Sequence, residues 1–294
     1  MHAITKYNPE NTNEFIVREL RIPRMIAAIV AGGGLSIAGM LMQTLFNNPL
    51  AGPYVLGINS GSSLFVALAT LSGLTFFTEE MGIISAALLG ALCFGTIILG
   101  FSFFIQSSVS LLLIGLMVGG FSSSFISVLE TYASAEELKS LTLWSMGSLQ
   151  HLELDELRHL LIVFAIGLIG LSILIKPLNA MILGEKSAEN LGVNVFQFRL
   201  LCITVTAIFT GLITAYCGPI AFVGLAVPNI TKLLFRTQSH ATLILANFAI
   251  GAVFLLLVDS FIQICEPWII LPLNAVTSII GAPIIIIIVL KRIK

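Results

Sequence analysis

Charged residues are scarce in this chain of 294 residues. Asp, Glu, Lys and Arg together make up 10% of the sequence, whereas hydrophobic residues make up 57%. A soluble domain carries about 25% charged residues, and the mean hydropathy here is +1.04. The chain is therefore an integral membrane protein. Its formal net charge of -1 argues against a nucleic-acid partner, which requires a basic surface.

Patterns for metal binding, nucleotide binding and catalysis are also missing. The four histidines are dispersed, and the four cysteines form no Cys-x-x-Cys pair, so no metal site is expected. No Gly-x-x-x-x-Gly-Lys-Ser/Thr segment is present to hold ATP phosphates. No nucleophile is paired with a base. The sequence thus predicts neither an enzyme nor a cofactor bound to this chain. The cysteines are Cys93, Cys202, Cys217 and Cys265.

Long apolar runs dominate the sequence and predict an all-α membrane protein with about nine transmembrane helices. Lys186, Arg199, Lys232 and the basic C-terminus lie between alternate runs, which predicts that their side is the cytoplasm and that the N-terminus lies outside. Residues 1–20 form a polar leader with no signal-peptide core. The runs lie near 25–45, 53–74, 81–105, 108–130, 158–176, 199–217, 220–235, 242–265 and 274–290.

Two apolar regions are interrupted by glycine and proline. The first interruption contains Asn47-Asn48-Pro49 and Gly52-Pro53, and the second contains Gly218-Pro219 followed by Pro228-Asn229. Such residues break helices. Interrupted hydrophobic segments at matching places in two halves are typical of transporters built from repeats. An odd number of spans separates the two interruptions, so the halves are expected to be inverted.

A polar stretch from Leu183 to Asn194 divides the two halves. Glu185 and Glu189 lie four residues apart, and Ala188 and Leu191 lie three apart, so a short helix would separate a charged face from an apolar one. Gly192 is suited to end that helix in a left-handed conformation. The stretch is either a solvated loop or a helix that docks into a groove on a partner protein.

Several motifs in order resemble the FecCD family, whose members are permease subunits of ABC importers for ferric siderophores, haem and cobalamin. The resemblance runs from about Arg21 to the C-terminus. It is carried by Arg21-Ile-Pro-Arg24, a glycine-rich span ending in Gln43, Asn48-Pro-Leu-Ala51, Leu56-Gly-Ile-Asn-Ser-Gly61, Trp144-Ser-Met-Gly147-Ser148-Leu149, Leu183-Gly184-Glu185, Leu191-Gly192-Val193, Gly218-Pro219-Ile, Phe222-Val-Gly224-Leu, Val227-Pro228, Asp259, Leu271-Pro272 and Gly281-Ala282-Pro283.

The resemblance implies the architecture of a type II ABC importer permease. It implies one transmembrane domain over 21–294, with a first repeat over about 21–157, a coupling loop over about 177–199 and a second repeat over about 199–294. It also implies separate ATPase subunits that bind the ATP, an extracytoplasmic substrate-binding protein, a second permease copy and the lipid of a bacterial cytoplasmic membrane. The cargo would be a metal chelate, and this chain would hold no bare metal.

The resemblance also assigns roles to individual residues. It implies that Arg21 and Arg24 receive acidic residues of the binding protein, although arginines at a membrane interface also serve simply as snorkelling residues. The ATPase-coupling residues would be Gly184, Glu185, Ala188, Glu189, Leu191 and Gly192. The gate or pathway residues would be Gln43, Asn48, Gln106, Ser107 and Ser108. Short hydroxyl side chains in a turn are otherwise ordinary helix caps.

The chain departs from the family pattern at several positions. A polar leader stands where members usually have a helix before Arg21; if an upstream apolar segment exists, it would add a tenth span and place the N-terminus inside. Asn229 replaces the usual His, and Gln263 replaces an Arg that commonly follows Asp259. Asp259 is thus expected to lack its usual cationic neighbour, as a functional or a structural acid. The alternatives are an ion- or proton-coupled secondary transporter and a membrane scaffold.

Overall fold

The regular structure of the chain is entirely helical within the residues that the computed structural model describes, which are 12–71, 80–105, 107–150, 152 and 154–293. A single turn at Thr12–Phe15 and a π-helical segment at Ile16–Arg21 lead directly into the first long helix. The helices are α1 (Ile22–Leu45), α2 (Ile58–Leu71), α3 (Glu80–Phe104), α4 (Ser108–Tyr132), α5 (Ala135–Ser145), α6 (Leu154–Met181), α7 (Glu185–Asn190), α8 (Val195–Cys217), α9 (Val223–Phe235), α10 (His240–Cys265) and α11 (Leu273–Ile293).

Six of these helices are long and apolar enough to cross a membrane. They are α1 with its π-helical lead, α3, α4, α6, α8 and α10. The helices α2 and α9, and the apolar part of α11 at Leu273–Ile288, are shorter than the roughly 20 residues that a bilayer requires. Each of the nine predicted runs corresponds to one of these helices. The prediction of an all-helical, multi-pass membrane protein is therefore confirmed, whereas nine complete crossings are not established.

The helix α1 forms the centre of the molecule. Of its most apolar stretch, 83% is buried inside the protein, whereas the corresponding figure for α4 is 17%. The first span also extends back to Ile16, further towards the N-terminus than the apolar run near 25–45 predicts. The sequence of α1 explains its position, because Gly32, Gly33 and Gly34 leave its surface without side chains and neighbouring helices approach closely.

The helices α1 and α10 pack against each other in antiparallel directions along most of their length. A side chain added at Gly32 would strike the backbone of Gly251. One turn further along, Ser36 donates a hydrogen bond to the Asn247 side chain at 3.1 Å. Asn247 is fully buried and donates in turn to the Leu243 carbonyl. Small residues thus permit the contact, and buried hydrogen bonds fix its register.

The two predicted interruptions are non-α-helical segments that meet inside the molecule. The Tyr54 hydroxyl, in a short 3-10 turn at Pro53–Leu56, donates to the Ile220 carbonyl in the second interruption. Gly224 lies against Pro53, and a side chain at Gly39 of α1 would strike the Gly224 carbonyl. Irregular backbone at this depth is tolerated because it is covered by protein.

The two short helices that follow the interruptions run in opposite directions. The first, α2, begins near the middle of α3, where Gly61 contacts Gly90, and ends towards the start of α3. The second, α9, begins against the middle of α1 at Leu35 and ends where Lys232 contacts Gln43. One short helix therefore occupies each half of the molecule.

The two ends of the helical bundle carry different features. One end, the α7 end, holds α7 together with Arg199, Lys232 and His240. Lys186 and Arg236 also lie there, as the charge pattern predicts, whereas Arg18, Arg21 and Arg24 lie towards the opposite end. The His240 ring lies 3.1 Å from the Thr44 hydroxyl through Nε2, and the Asn179 side-chain oxygen accepts from the His240 backbone N–H at 2.8 Å and from Nδ1 at 3.0 Å.

At the opposite end, the α5 end, hydrogen bonds join three loops to one another. The Ser148 N–H donates to the Cys217 carbonyl at 2.9 Å. The Asn274 N–H donates to the Met146 carbonyl, and the Asn274 side-chain oxygen accepts from the Ala221 N–H. The helix α5 begins with a reciprocal cap in which the Ser134 N–H donates to the Glu137 carboxylate and the Glu137 N–H donates to the Ser134 hydroxyl. These bonds lower the pKa of the Glu137 carboxyl.

Candidate coupling and gating site

The central polar stretch forms a six-residue helix, α7, as the sequence predicts. Gly184 precedes it with φ of 92° and Gly192 follows it with φ of 84°. Both values lie in the left-handed region that glycine adopts without strain. The Val193 N–H donates to the Ala188 carbonyl at 3.0 Å and the Gly192 N–H donates to the Glu189 carbonyl at 2.9 Å, which closes the helix in a glycine cap.

The predicted apolar face of α7 is divided between the protein interior and the surface. Ala188 is completely buried, whereas 64% of Leu191 is exposed. Glu189 is also exposed. Ala188 and Leu191 therefore do not form one exposed face, because Ala188 lies against the body of the molecule. Leu191 and Glu189 remain as the surface that a partner could contact.

Glu185 connects α7 to the α3–α4 turn, which follows Phe104 and ends at Ser108, the first residue of α4. Its Oε1 accepts a hydrogen bond from the Ser108 hydroxyl at 3.2 Å and lies 3.6 Å from Nη2 of Arg199. Arg199 in turn donates through Nη1 to the Ile105 carbonyl at 2.8 Å. The structure therefore brings the predicted coupling residue Glu185 and the predicted gate residue Ser108 into contact. Local sequence patterns do not identify Arg199 as the link, because its partners lie in distant segments.

Ser107 and Ser108 have different roles although they are adjacent. The Ser107 hydroxyl accepts from the Ser110 N–H at 3.3 Å and so caps α4, which is the ordinary function of a hydroxyl in a turn. Ser108 instead reaches Glu185. Gln106, the third predicted gate residue of this turn, lies outside the described residues.

Gln43 and Asn48 hold the first interruption in place. Gln43 is buried, donates to the Leu225 carbonyl at 3.3 Å and accepts from the Lys232 ammonium at 3.1 Å. The Asn48 side chain accepts from the Leu50 N–H at 2.9 Å, as in an Asx turn. These three contacts are structural, and the role of Gln43 and Asn48 in a pathway stays a prediction.

Asn229 occupies the position where the family pattern has His, and it stabilises the same region. Its side-chain amide donates to the Pro49 carbonyl and to the Leu225 carbonyl, each at 2.9 Å. Asn229 is almost fully buried. The residue therefore satisfies two carbonyls and ties α9 to the first interruption.

Arg24 and Asp259 form an ion pair at the α5 end, with nitrogen-to-oxygen distances of 2.8 to 3.0 Å. Gln263 also donates to Asp259 at 2.7 Å. Gln263 thus stands where the usual cationic neighbour is absent, and Arg24 instead supplies the charge from the other end of the sequence. Only 14% of the Arg24 side chain is exposed, whereas Arg21 is exposed. The two predicted docking arginines are thus in different environments.

A cleft of 480 Å³ opens at the α5 end beside this ion pair. Its walls come from α5, from the ends of α8 and α10, and from the loop before α11, and they include Trp144, Tyr216 and Glu266. The lining is mainly apolar with scattered polar groups. Within the described ranges, no three His, Cys, Asp or Glu side chains converge on a site that could hold a metal ion.

The fold and sequence were compared with known proteins. The chain is 32% identical over 272 residues to a probable iron chelatin transport system permease protein from Helicobacter pylori. The aligned part covers 91% of this chain and 80% of that protein. It is 33% identical over 286 residues to the vitamin B12 import system permease protein of Photorhabdus laumondii. This alignment covers 95% of this chain and 83% of that protein.

A solved structure described as an inward-facing, metal-chelate type ABC transporter superposes on this chain with a TM-score of 0.87 and 28% identity. The match covers 97% of this chain and 91% of that one. The family model of the FecCD transport family matches residues 1–291. The chain therefore belongs to the FecCD transport family, a family of membrane transport permeases rather than enzymes, as its motifs predict.

Proposed function

We propose that this protein is the permease subunit of a type II ABC importer that moves a metal chelate into the cytoplasm. The carrying observation is α7, a short helix with exposed Leu191 and Glu189 whose first residue contacts the α3–α4 turn. A chain without an ATP-binding motif needs an external source of energy, and α7 offers a surface for the ATPase subunit. The relatives that carry iron chelatin and vitamin B12 support a ferric siderophore, haem or cobalamin as the cargo class.

The proposed architecture has nine spans in two inverted repeats over about 21–157 and 199–294, with the coupling loop over about 177–199. The opposite directions of α2 and α9, each preceded by a non-α-helical interruption, support this arrangement. The α7 end would face the cytoplasm, because Lys186, Arg199, Lys232 and Arg236 lie there. The membrane would be the bacterial cytoplasmic membrane.

The proposed partners are an ATPase under each permease, a soluble binding protein at the α5 end and a second copy of this chain. The helix α4 supports the second copy, since it exposes Met117, Phe121 and Phe125 along most of its length. Lipid or another permease must cover such a surface. The pathway would run along the axis between the two copies, and the gate would include the turn that contains Ser107 and Ser108.

The secondary-transporter alternative depends on Asp259 as an ionisable residue in an apolar span. Asp259 is neutralised by Arg24 and bonded to Gln263. An acid held in this way is poorly suited to bind and release a proton or ion during each cycle. The ion pair therefore favours the ABC importer.

The test is co-purification of the tagged permease with its cognate ATPase and binding protein. Wild type should retain the ATPase in detergent, and binding protein loaded with ferric siderophore, haem or cobalamin should raise ATP hydrolysis for one chelate class. The variant Leu191→Asp should fold but lose the ATPase, because a charge replaces the exposed apolar contact. Failure of the wild-type permease to retain any ATPase would overturn the proposal.

A further inference from the structure

Arg199 is a buried cation in an unfavourable place on its own helix. It lies near the N-terminus of α8, and only 4% of the residue is exposed. The N-terminus of a helix carries partial positive charge and disfavours a cation, and burial removes the water that would otherwise solvate it. Groups on neighbouring segments must therefore stabilise the guanidinium.

Two such groups belong to the two segments that the transport cycle has to connect. The Ile105 carbonyl follows the last residue of α3, where the helix dipole favours a cation, and accepts from Arg199 Nη1 at 2.8 Å. Glu185 of α7 lies 3.6 Å from Arg199 Nη2. Both contacts use the fixed geometry of one planar guanidinium.

The two contacts differ in strength. The bond to the partly buried Ile105 is short, at 2.8 Å, whereas the longer contact of 3.6 Å reaches a Glu185 side chain that is 47% exposed. Solvent weakens an exposed ion pair. The contact to Glu185 is therefore the one that a movement of α7 can break, while Arg199 remains attached to the end of α3.

We infer that Arg199 is a positioning residue that transmits movement of α7 to the α3–α4 turn. With Glu185 in contact, one carboxylate oxygen binds both Arg199 and Ser108, so α7, α8 and the turn form one unit. When a partner pulls α7 away, Ser108 is released and Arg199 loses its contact with Glu185, which loosens the turn. This inference rests on the proposed function, because it gives the residue through which the ATPase reaches the gate.

The first experiment needs only the full permease in lipid nanodiscs. Spin labels are attached at exposed positions of α7 and α4 through Lys186→Cys and Ser110→Cys, and their distance distribution is measured by pulsed electron spin resonance. The labelled parent should give a narrow distribution. Arg199→Lys should broaden it, because one ammonium cannot reproduce both contacts of the guanidinium. The matched control Arg236→Lys, at an exposed arginine of the same end, should leave it narrow.

The second experiment measures transport in the complete complex with its ATPase and binding protein. Uptake of a radiolabelled ferric siderophore or cobalamin is divided by the ATP hydrolysed. Arg199→Lys and Glu185→Gln should each lower this ratio by roughly 5-fold, the lower range of a typical coupling between sites. The double variant should be no worse than the single ones, because both changes break the same link.

The outcomes separate the inference from the proposed function. A narrow distance distribution in Arg199→Lys, or additive losses in the double variant, would overturn the inference. If Arg199→Lys fails to fold, Glu185→Gln and Ser108→Ala test the contacts that Glu185 makes with Arg199 and Ser108. Both variants should also broaden the distance distribution. If the wild-type complex shows no ATP-driven uptake, the proposed function fails, and the nanodisc measurement still decides whether Arg199 links α7 to the turn.

Discussion

Arg24 and Asp259 form a two-pronged ion pair although 235 residues separate them in the sequence. The pair joins the start of α1 to the far part of α10 at the α5 end, and both side chains are largely shielded from solvent. Together with the Gly32–Gly251 approach and the Ser36–Asn247 bond, it holds the central helix against α10. The pair is thus a structural element at the surface where a binding protein would dock.

The first prediction concerns the stability that this pair provides. Arg24→Met should lower the thermal unfolding midpoint in detergent, because removing one partner of a buried pair costs about 3–5 kcal/mol. The double variant Arg24→Met with Asp259→Leu should recover part of the loss. Arg21→Met is the matched control and should shift the midpoint little, since Arg21 is exposed. Equal midpoints for Arg24→Met and Arg21→Met would contradict a structural role for the pair.

The second prediction concerns docking of the binding protein. Arg21→Glu should slow association with the cognate binding protein at low salt and much less at high salt, because exposed charges act mainly on the association rate. The double change Arg21→Glu with Arg24→Glu should also reduce stability, since Arg24 is paired with Asp259. Surface plasmon resonance on nanodisc-embedded permease measures the rates. An association rate for Arg21→Glu equal to wild type at low salt would exclude Arg21 from docking.

The third prediction separates the two apolar residues of α7. Ala188→Leu should destabilise the protein, because Ala188 is fully buried and extra methylenes in a packed site cost about 1–3 kcal/mol. Leu191→Asp should leave the unfolding midpoint near that of wild type while abolishing ATPase binding, because Leu191 is exposed. Thermal unfolding and co-purification distinguish the two effects. The account of α7 would be wrong if Ala188→Leu unfolded at the wild-type midpoint.

The fourth prediction concerns the contact of α1 with α9. Gly39→Ala should disrupt folding, because the new methyl group would strike the Gly224 carbonyl, which belongs to backbone and cannot rotate away. Gly100→Ala is the matched control, since nothing lies within 4 Å of a side chain there. Alanine also favours a helix over glycine by about 1 kcal/mol. Size-exclusion profiles and unfolding midpoints should separate the variants, and equal behaviour would refute the close approach.

Local patterns in the sequence were sufficient for the apolar helices and for α7, whereas α5 lies outside the predicted runs. Apolar runs mark the spans, and Gly192 ends α7 as its position after Leu191 predicts. The inward direction of Ala188 was not predictable, since it depends on how the short helix lies against the rest of the protein. Helical spacing states which residues share a face but not which face is covered.

Long-range pairs were beyond the reach of local patterns. The link between Arg24 and Asp259, and the one from Arg199 to Ile105 across 94 residues, depend on how distant helices pack. The sequence signal for such a pair is a cation in one apolar span and an acid in another, because each needs a partner in a low-dielectric interior. That signal identifies candidates for pairing but does not state which of them meet.

The central claim, import driven by ATP, is tested most directly by uptake into proteoliposomes that contain the permease, its ATPase and the binding protein. Radiolabelled ferric siderophore, haem or cobalamin is supplied outside with the binding protein, and ATP is enclosed on the ATPase side with no ion gradient. The account predicts accumulation of one chelate class that requires ATP and is lost in Leu191→Asp. Accumulation without ATP, driven by a proton or sodium gradient, would contradict the account and favour a secondary transporter.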